Sequence, residues 1–248
     1  MPLLTTSGFI LRKNHFKDAD RVVVLFSKDF GKITALGKFA KKSIKRNLNL
    51  LDYGYVLKFF LTQSKNKQYF FINKVEFIEK LFDFNSFTSI MVVHYINEVL
   101  YNLIYSYEDS GKIFDFTINF LKHFNLKDLS KNISLLNFFN INILSLTGYG
   151  LNSGKCCVCG GNEYIQNYSL ENLGFICNKC IKGSAFTLCN GTLKFLKNSG
   201  KLNFSNINLS QQIISEIEII FFATLEKFVS INRINKIKQI YFNLKNGI

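Results

Sequence analysis

Acidic residues are scarce in this 248-residue chain: 17 Asp and Glu stand against 31 Lys and Arg, a formal net charge of +14. That imbalance disfavours basic partners and favours polyanions such as nucleic acid, an anionic membrane or an acidic protein tail. Long apolar runs are missing as well. The longest candidate, around residues 219–223, falls far short of the roughly 18 residues a membrane-spanning helix needs. The first residues reach Thr5, Thr6 and Ser7 without a charged and then apolar leader, so no targeting segment is visible and a cytoplasmic location is expected. Tryptophan is absent, proline occurs once, and no internal repeat or low-complexity linker stands out. The catalytic vocabulary is equally thin. There is no Gly-x4-Gly-Lys-Ser/Thr phosphate loop, and His15, His94 and His123 are scattered. Asp18-x-Asp20 lies beside Lys17 and Arg21, and no downstream acidic cluster completes a two-metal site. The chain is therefore read as a binding protein, not an enzyme.

What is present is unevenly placed. Hydrophobic residues make up 48% of the chain, enough to bury a sizeable core. Its 27 Phe are read partly as a codon-composition bias, so aromatic content alone argues little. Residues 1–80 hold 16 Lys and Arg against 6 Asp and Glu, whereas the rest holds 15 against 11. Within residues 37–46, Lys38, Lys41, Lys42, Lys45 and Arg46 occur without an acid. One such run is ordinarily a solvated face, but a whole basic domain points to nucleic acid.

The first third reads as strands at residues 6–13, 20–27, 32–40, 53–63 and 68–77, β-branched or aromatic runs with partial alternation. Five short antiparallel-type strands in about 80 residues fit an OB-fold barrel, and an SH3-like barrel fits the pattern nearly as well. Near Ser86 the periodicity becomes helical, with further helices expected over residues 113–124 and 129–146, the last stopping at Gly148-Tyr149-Gly150. A Cys-rich, Gly-rich loop module follows. Helical pattern resumes near residues 188–196, and Ser210 is placed to cap a long helix through Phe228. The expected architecture is α+β and multidomain: an OB-fold nucleic-acid-binding domain (1–80), a helical domain in two parts (81–150 and 186–248), and an inserted four-Cys zinc module (151–185).

All six cysteines lie between positions 156 and 189, a local metal site rather than a disulfide framework. Cys156-x2-Cys159 and Cys177-x2-Cys180 each point two sulfurs at one centre, and together they supply the four thiolates that suit tetrahedral Zn2+. An iron–sulfur cluster and a redox pair are the alternatives. Four protein ligands leave no open position, so the metal is expected to be structural. Cys157 and Cys189 are left over, and Cys189 is expected to pack as a small apolar residue.

Two separated stretches carry a family resemblance. Gly8-Phe9-Ile10-Leu11-Arg12 precedes Asp18-Ala19-Asp20-Arg21, Leu25-Phe26-Ser27, Gly31-Lys32, Ala35-Leu36-Gly37 and Ala40-Lys41-Lys42. Leu146-Thr147-Gly148-Tyr149 precedes the first cysteine pair, followed by Ser169, Gly174 and the second pair. In this order and spacing the chain resembles the RecO family of bacterial recombination mediators over nearly its full length. There are departures: Leu151 follows Gly150 where the family often has Pro, and Leu173 stands where a second Gly often accompanies Gly174. The resemblance implies binding to single- and double-stranded DNA, annealing of complementary strands, partnership with RecR in loading RecA onto gapped DNA, and contact with the acidic C-terminal tail of single-stranded-DNA-binding protein. It implies a cytoplasmic, nucleoid-associated bacterial protein with no membrane partner.

The expected DNA contacts are Arg12, Lys13, Arg21, Lys32, Lys38, Phe39, Lys41, Lys42, Lys45 and Arg46. Arg12 and Lys13 are adjacent on a strand, so one of them at most should face a groove. Arg21 has a second reading, pairing with Asp18 or Asp20 at a strand entry. Phe39 is the candidate for base stacking, against the alternative of a core or strand-end aromatic. Without the family resemblance, charge and fold would also suit an RNA-binding or transcription/translation factor with an OB-fold and a zinc ribbon.

Overall fold

A computed structural model describes residues 2–16, 19–40, 45–65, 68–81, 86–104, 109–124, 129–149, 154–204 and 207–247. The chain divides into two compact units, residues 1–122 and 123–248.

The first unit is built on a closed five-stranded barrel: β1 (Leu4–Phe16), β2 (Asp20–Ser27), β3 (Gly31–Gly37), β4 (Tyr55–Gln63) and β5 (Phe70–Lys80). Strand order around it is β1-β2-β3-β5-β4, with β4 returning to β1. Only β3 and β5 run parallel, through Ala35 opposite Phe70 and Leu36 opposite Phe71. This is the OB-fold expected from the alternation. Leu57, Phe59 and Leu61 of β4 point inward with Val23, Leu25, Ile10 and Ile72, while Lys58 and Phe60 point out. A 3-10 turn at Leu48–Leu50 places Leu48, with neighbouring Leu51, in the same core.

Around residue 10, β1 is buried on both faces. Ile10 faces the barrel core, while Phe9 packs edge-on to Phe26 and 5.7 Å from Phe114, between ring centroids. Phe114 belongs to α2 (Ser110–His123), which follows α1 (Phe87–Leu103). Gly8 is required here by close approach. A Cβ at this position would sit 2.8 Å from the Phe26 carbonyl oxygen and 3.0 Å from a Leu25 methyl. Gly8→Ala is expected to cost about 1–3 kcal/mol by overpacking a site that backbone closes off, read as a lower denaturant midpoint with unchanged slope.

The second unit is helical: α3 (Leu129–Leu146), α4 (Asn190–Asn198), α5 (Gln211–Phe228) and α6 (Ile231–Asn246). From residue 132 to 144, α3 is buried all round, which makes it the central helix of this unit. Its Asn137 amide donates to the Tyr241 hydroxyl at 2.7 Å, and Tyr241 donates to Glu218 at 2.7 Å. The helix ends as expected at Gly148, whose φ of 88° turns the chain so that the Tyr149 N–H reaches the Leu144 carbonyl. Ser210 caps α5, accepting from the Ile213 N–H at 3.5 Å. Two features differ from the sequence reading. The Cys-rich module is not merely loops: it contains β6 (Ile165–Ser169), β7 (Gly174–Cys177) and β8 (Ala185–Thr187), paired in the order β7-β6-β8. And α6 is a separate helix that the expected helical part over residues 186–248 did not single out, although Ile234, Ile237, Ile240, Tyr241 and Leu244 bury one helical face.

Candidate functional site

The four paired cysteines converge. The sulfurs of Cys156, Cys159, Cys177 and Cys180 all lie within 4.8 Å of one another, and those of Cys159 and Cys177 are 3.8 Å apart. Thiolates bound to one tetrahedral ion at about 2.3 Å would be separated by roughly 3.8 Å, so this donor set fits such an ion. Local folding explains the convergence. The first pair sits on a turn in which Gly160 N–H returns to the Cys156 carbonyl at 2.9 Å, with Gly160 at φ 73°. The second pair leaves the end of β7 through a 3-10 turn at Asn178–Cys180. Backbone pairing of Cys157 N–H with the Phe175 carbonyl at 2.8 Å joins the two halves.

Proton affinities in the cluster are split. Burial raises the Cys156 thiol, but the N–H groups of Cys159, Cys177 and Val158 outweigh it and bring its pKa down to about 6. Cys180 is pushed up to about 12, first because its thiol hydrogen-bonds to Cys177 and Cys159. A cation that displaces these protons makes all four sulfurs equivalent donors.

The remaining cysteines have other surroundings. Cys157 lies outside the four and packs against Gly174, where a Cβ would meet its own Cβ at 2.8 Å. Cys189 does more than fill space. It is the N-cap of α4, its sulfur accepting from the Thr192 N–H at 3.4 Å while its own N–H donates to Glu216 at 3.0 Å. The turn into β7 also places Leu173 at φ 48°, a left-handed conformation that glycine adopts without strain.

The expected DNA contacts separate into two groups. Four lie on the barrel strands and are held by partners inside the protein. Arg12 donates to Glu98 of α1 at 2.8 Å, a carboxylate whose side chain is only 5% exposed, and its guanidinium lies 3.5 Å from the Tyr101 ring centroid. Lys13 pairs with Asp52 at 2.5 Å, Arg21 donates to the Leu51 carbonyl at 3.0 Å, and Lys32 donates to the Tyr101 carbonyl at 2.6 Å. Arg21 thus holds the turn that plugs the barrel, and Asp20 instead accepts the Phe39 N–H at 2.8 Å.

The second group surrounds the β3–β4 connection. Lys38 and Lys45 are exposed, and Phe39 is 61% exposed at φ 53°, so it is neither a core nor a strand aromatic. Arg46 donates to the Lys38 carbonyl at 2.6 Å and so ties the two ends of this connection. Lys41 and Lys42 lie outside the described residues, as does Asp18.

Sequence reading missed the cations and aromatics of β4 and β5. Lys58 and Lys74 stand 5.3 and 5.7 Å from the centre of the Phe60 ring, and Lys38 stands 5.1 Å from that of Phe71. The signal was the outward half of the alternation in two strands whose inward half had been read. Among the described residues no helix is long and apolar enough to cross a membrane.

Known proteins resemble the whole chain. Residues 1–81 match the family model described as recombination protein O N terminal, and residues 85–230 match recombination protein O C terminal. The DNA repair protein RecO of Clostridium novyi (strain NT) is 28% identical over 251 residues, covering 97% of this chain and 93% of that protein. That of Thermoanaerobacter sp. (strain X514) is 28% identical over 254 residues, covering 99% and 100%. That of Acetivibrio thermocellus is 26% identical over 227 residues, covering 88% of each.

Proposed function

This chain belongs to the recombination protein O family, and from that premise we propose that it is a DNA-binding recombination mediator in bacterial DNA repair. It binds single- and double-stranded DNA and anneals complementary strands, including strands coated by single-stranded-DNA-binding protein. With RecR it helps load RecA onto gapped DNA, acting in the cytoplasm at the nucleoid. The protein's own part is electrostatic and steric, with no bond made or broken.

The observation that carries this reading is the basic OB-fold unit with an exposed Phe39 between exposed cations. Lysines that neutralise phosphates release condensed counterions, which drives association and weakens it steeply with salt. Two strands held on one cationic surface repel each other less, so pairing between them is faster. Phe39 offers a face on which an unpaired base stacks. Of the ten residues expected to contact DNA, we assign the role to Lys38, Phe39, Lys41, Lys42, Lys45 and Arg46. Arg12, Lys13, Arg21 and Lys32 reach a phosphate only by giving up their internal partners. Several acids are likewise engaged: Asp20 holds a turn, and Asp52 and Asp115 pair with Lys13 and Lys28, which supports a non-enzymatic role.

Cys156, Cys159, Cys177 and Cys180 hold a zinc ion in this reading. With four thiolates it has no vacant coordination position, and it supplies a crosslink rather than catalysis. The acidic tail of single-stranded-DNA-binding protein meets the lysine-bearing helices of the second unit.

The deciding experiment follows annealing of complementary oligonucleotides pre-covered with the cognate single-stranded-DNA-binding protein. Wild-type protein is expected to accelerate duplex formation, progressively less as salt rises. No acceleration at low salt, or strand cleavage in Mg2+, would overturn the proposal.

A further inference from the structure

OB-folds commonly take oligonucleotides on the surface of strands 2 and 3. In this unit part of that side is already covered. Phe9 and Phe26 pack against Phe114 of α2, Arg12 is paired to Glu98 of α1, and Lys32 donates to the Tyr101 carbonyl of α1. The outer surface of β4 and β5 is different. Lys58, Phe60 and Thr62 alternate outward on β4, and their cross-strand partners on β5 are Glu76, Lys74 and Phe71. A bulge between Phe60 and Leu61 sets this register, bringing Lys74 directly opposite Phe60. Phe60 is consequently flanked by two ammonium groups, and Phe71 by the ammonium of Lys38. Lys38 also begins the basic connection of residues 38–46, so the surface is continuous with it.

We propose that this outer face of β4 and β5 is a single-strand track, in which Phe60 and Phe71 each stack an unpaired base while Lys58, Lys74 and Lys38 hold the neighbouring phosphates. This rests on the DNA-binding reading above and extends it to a second surface. Three observations choose the occupant. Cations alternate with aromatic rings at the spacing of one strand, which suits a chain that alternates phosphate and base. The rings are half-buried and lie on the sheet surface, Phe71 with Tyr69 packed edge-on at 5.2 Å between centroids, and an unpaired base can reach them whereas a stacked duplex hides its base faces. Glu76, the one acid in the row, pairs with Lys74 at 2.7 Å and is held below its ordinary range chiefly by that hydrogen bond. The face therefore keeps net positive charge even with Glu76 ionised, and Glu76 limits its affinity.

The test is fluorescence anisotropy with a labelled oligothymidylate and a duplex of equal length, across a salt series. Phe60→Leu with Phe71→Leu is expected to weaken single-strand binding about tenfold, with duplex binding within about twofold and the salt slope unchanged. Lys58→Gln with Lys74→Gln is expected to lower the single-strand salt slope by about 1 to 1.5. Glu76→Gln is expected to tighten single-strand binding about two- to threefold, whereas Glu226→Gln, the same charge change in the other unit, leaves it unchanged. Thermal unfolding checks each variant. If the leucine variants do not fold, the charge variants at exposed positions decide. Normal wild-type DNA binding with single-strand affinity indifferent to these changes overturns the track and leaves the mediator reading standing. Failure of wild-type protein to bind any DNA overturns both.

Discussion

Cys177→Ser is expected to lower bound zinc from about one ion per chain to none and to loosen the second unit. Cys177 is buried, lies 3.8 Å from Cys159 by sulfur, and ends β7, whose backbone pairs with Ile165 of β6. Cys156, Ile176 and Cys177 form the module's own small core, with Cys180 and Ala185 packed against it. So few apolar groups cannot offset the entropy of ordering the two turns, and in the proposed reading a zinc crosslink supplies the difference. Binding energy for structural zinc is folding energy, about 10–16 kcal/mol in isolated fingers near neutral pH. Here the three-stranded sheet also docks on α5, since Tyr168 is fully buried and Lys227 of α5 donates to the Glu171 carbonyl. Part of the module therefore stays in place without metal. The expected destabilisation is at least about 4 kcal/mol, a fall in midpoint on the order of 10 °C. Metal analysis of fresh protein with thermal unfolding checks both numbers. Cys157→Ser is the matched control, because Cys157 lies outside the four and the variant should keep its zinc. Wild-type protein without metal would refute the site, and loss of zinc from the control would show that the wrong cysteines had been paired.

Changing Lys38, Lys41 and Lys42 together to Glu is expected to abolish strand annealing at moderate salt with little change in stability. Lys38 is exposed, and the bond that organises this connection uses its carbonyl, which any residue supplies to Arg46. The substitution thus replaces three cations by three anions. Each phosphate contact contributes about 0.7 to 0.9 to the slope of log affinity against log salt, so the slope should fall by about 2 to 3. Affinity at low salt should drop on the order of a hundredfold or more, because the new carboxylates also repel the backbone. Binding isotherms at four or five salt concentrations measure this, and annealing kinetics measure its consequence. Annealing that persists would place the functional surface elsewhere.

How much of this could be read in advance differs by element. Alternation exposed the barrel strands, since every second side chain must enter one small core. The bounds of β2 and α3 agree with the reading, whereas β1 and β5 extend beyond it because their ends pair in the barrel without alternating cleanly. The period of α6 is present in Ile234, Ile237, Ile240, Tyr241 and Leu244, yet no glycine or proline marks a boundary after Phe228, so the sequence shows residues 186–248 as helical without setting α6 apart. The module's strands are three to five residues long, too short for alternation to show. Candidate DNA contacts were harder still. Whether Arg12 is available depends on Glu98, 86 positions away, and the place of Lys74 opposite Phe60 depends on the strand register at a bulge.

Sequence alone determined the barrel, the helical remainder, the basic first third and the four paired cysteines, because each is written in local spacing: period two, period three to four, charge density and Cys-x2-Cys. Only the tertiary structure decided which cations are consumed by internal partners and which stand beside exposed rings. A salt bridge or a ring contact is a distance of a few ångströms between residues far apart along the chain, and strand register and helix docking, not spacing in the sequence, set that distance.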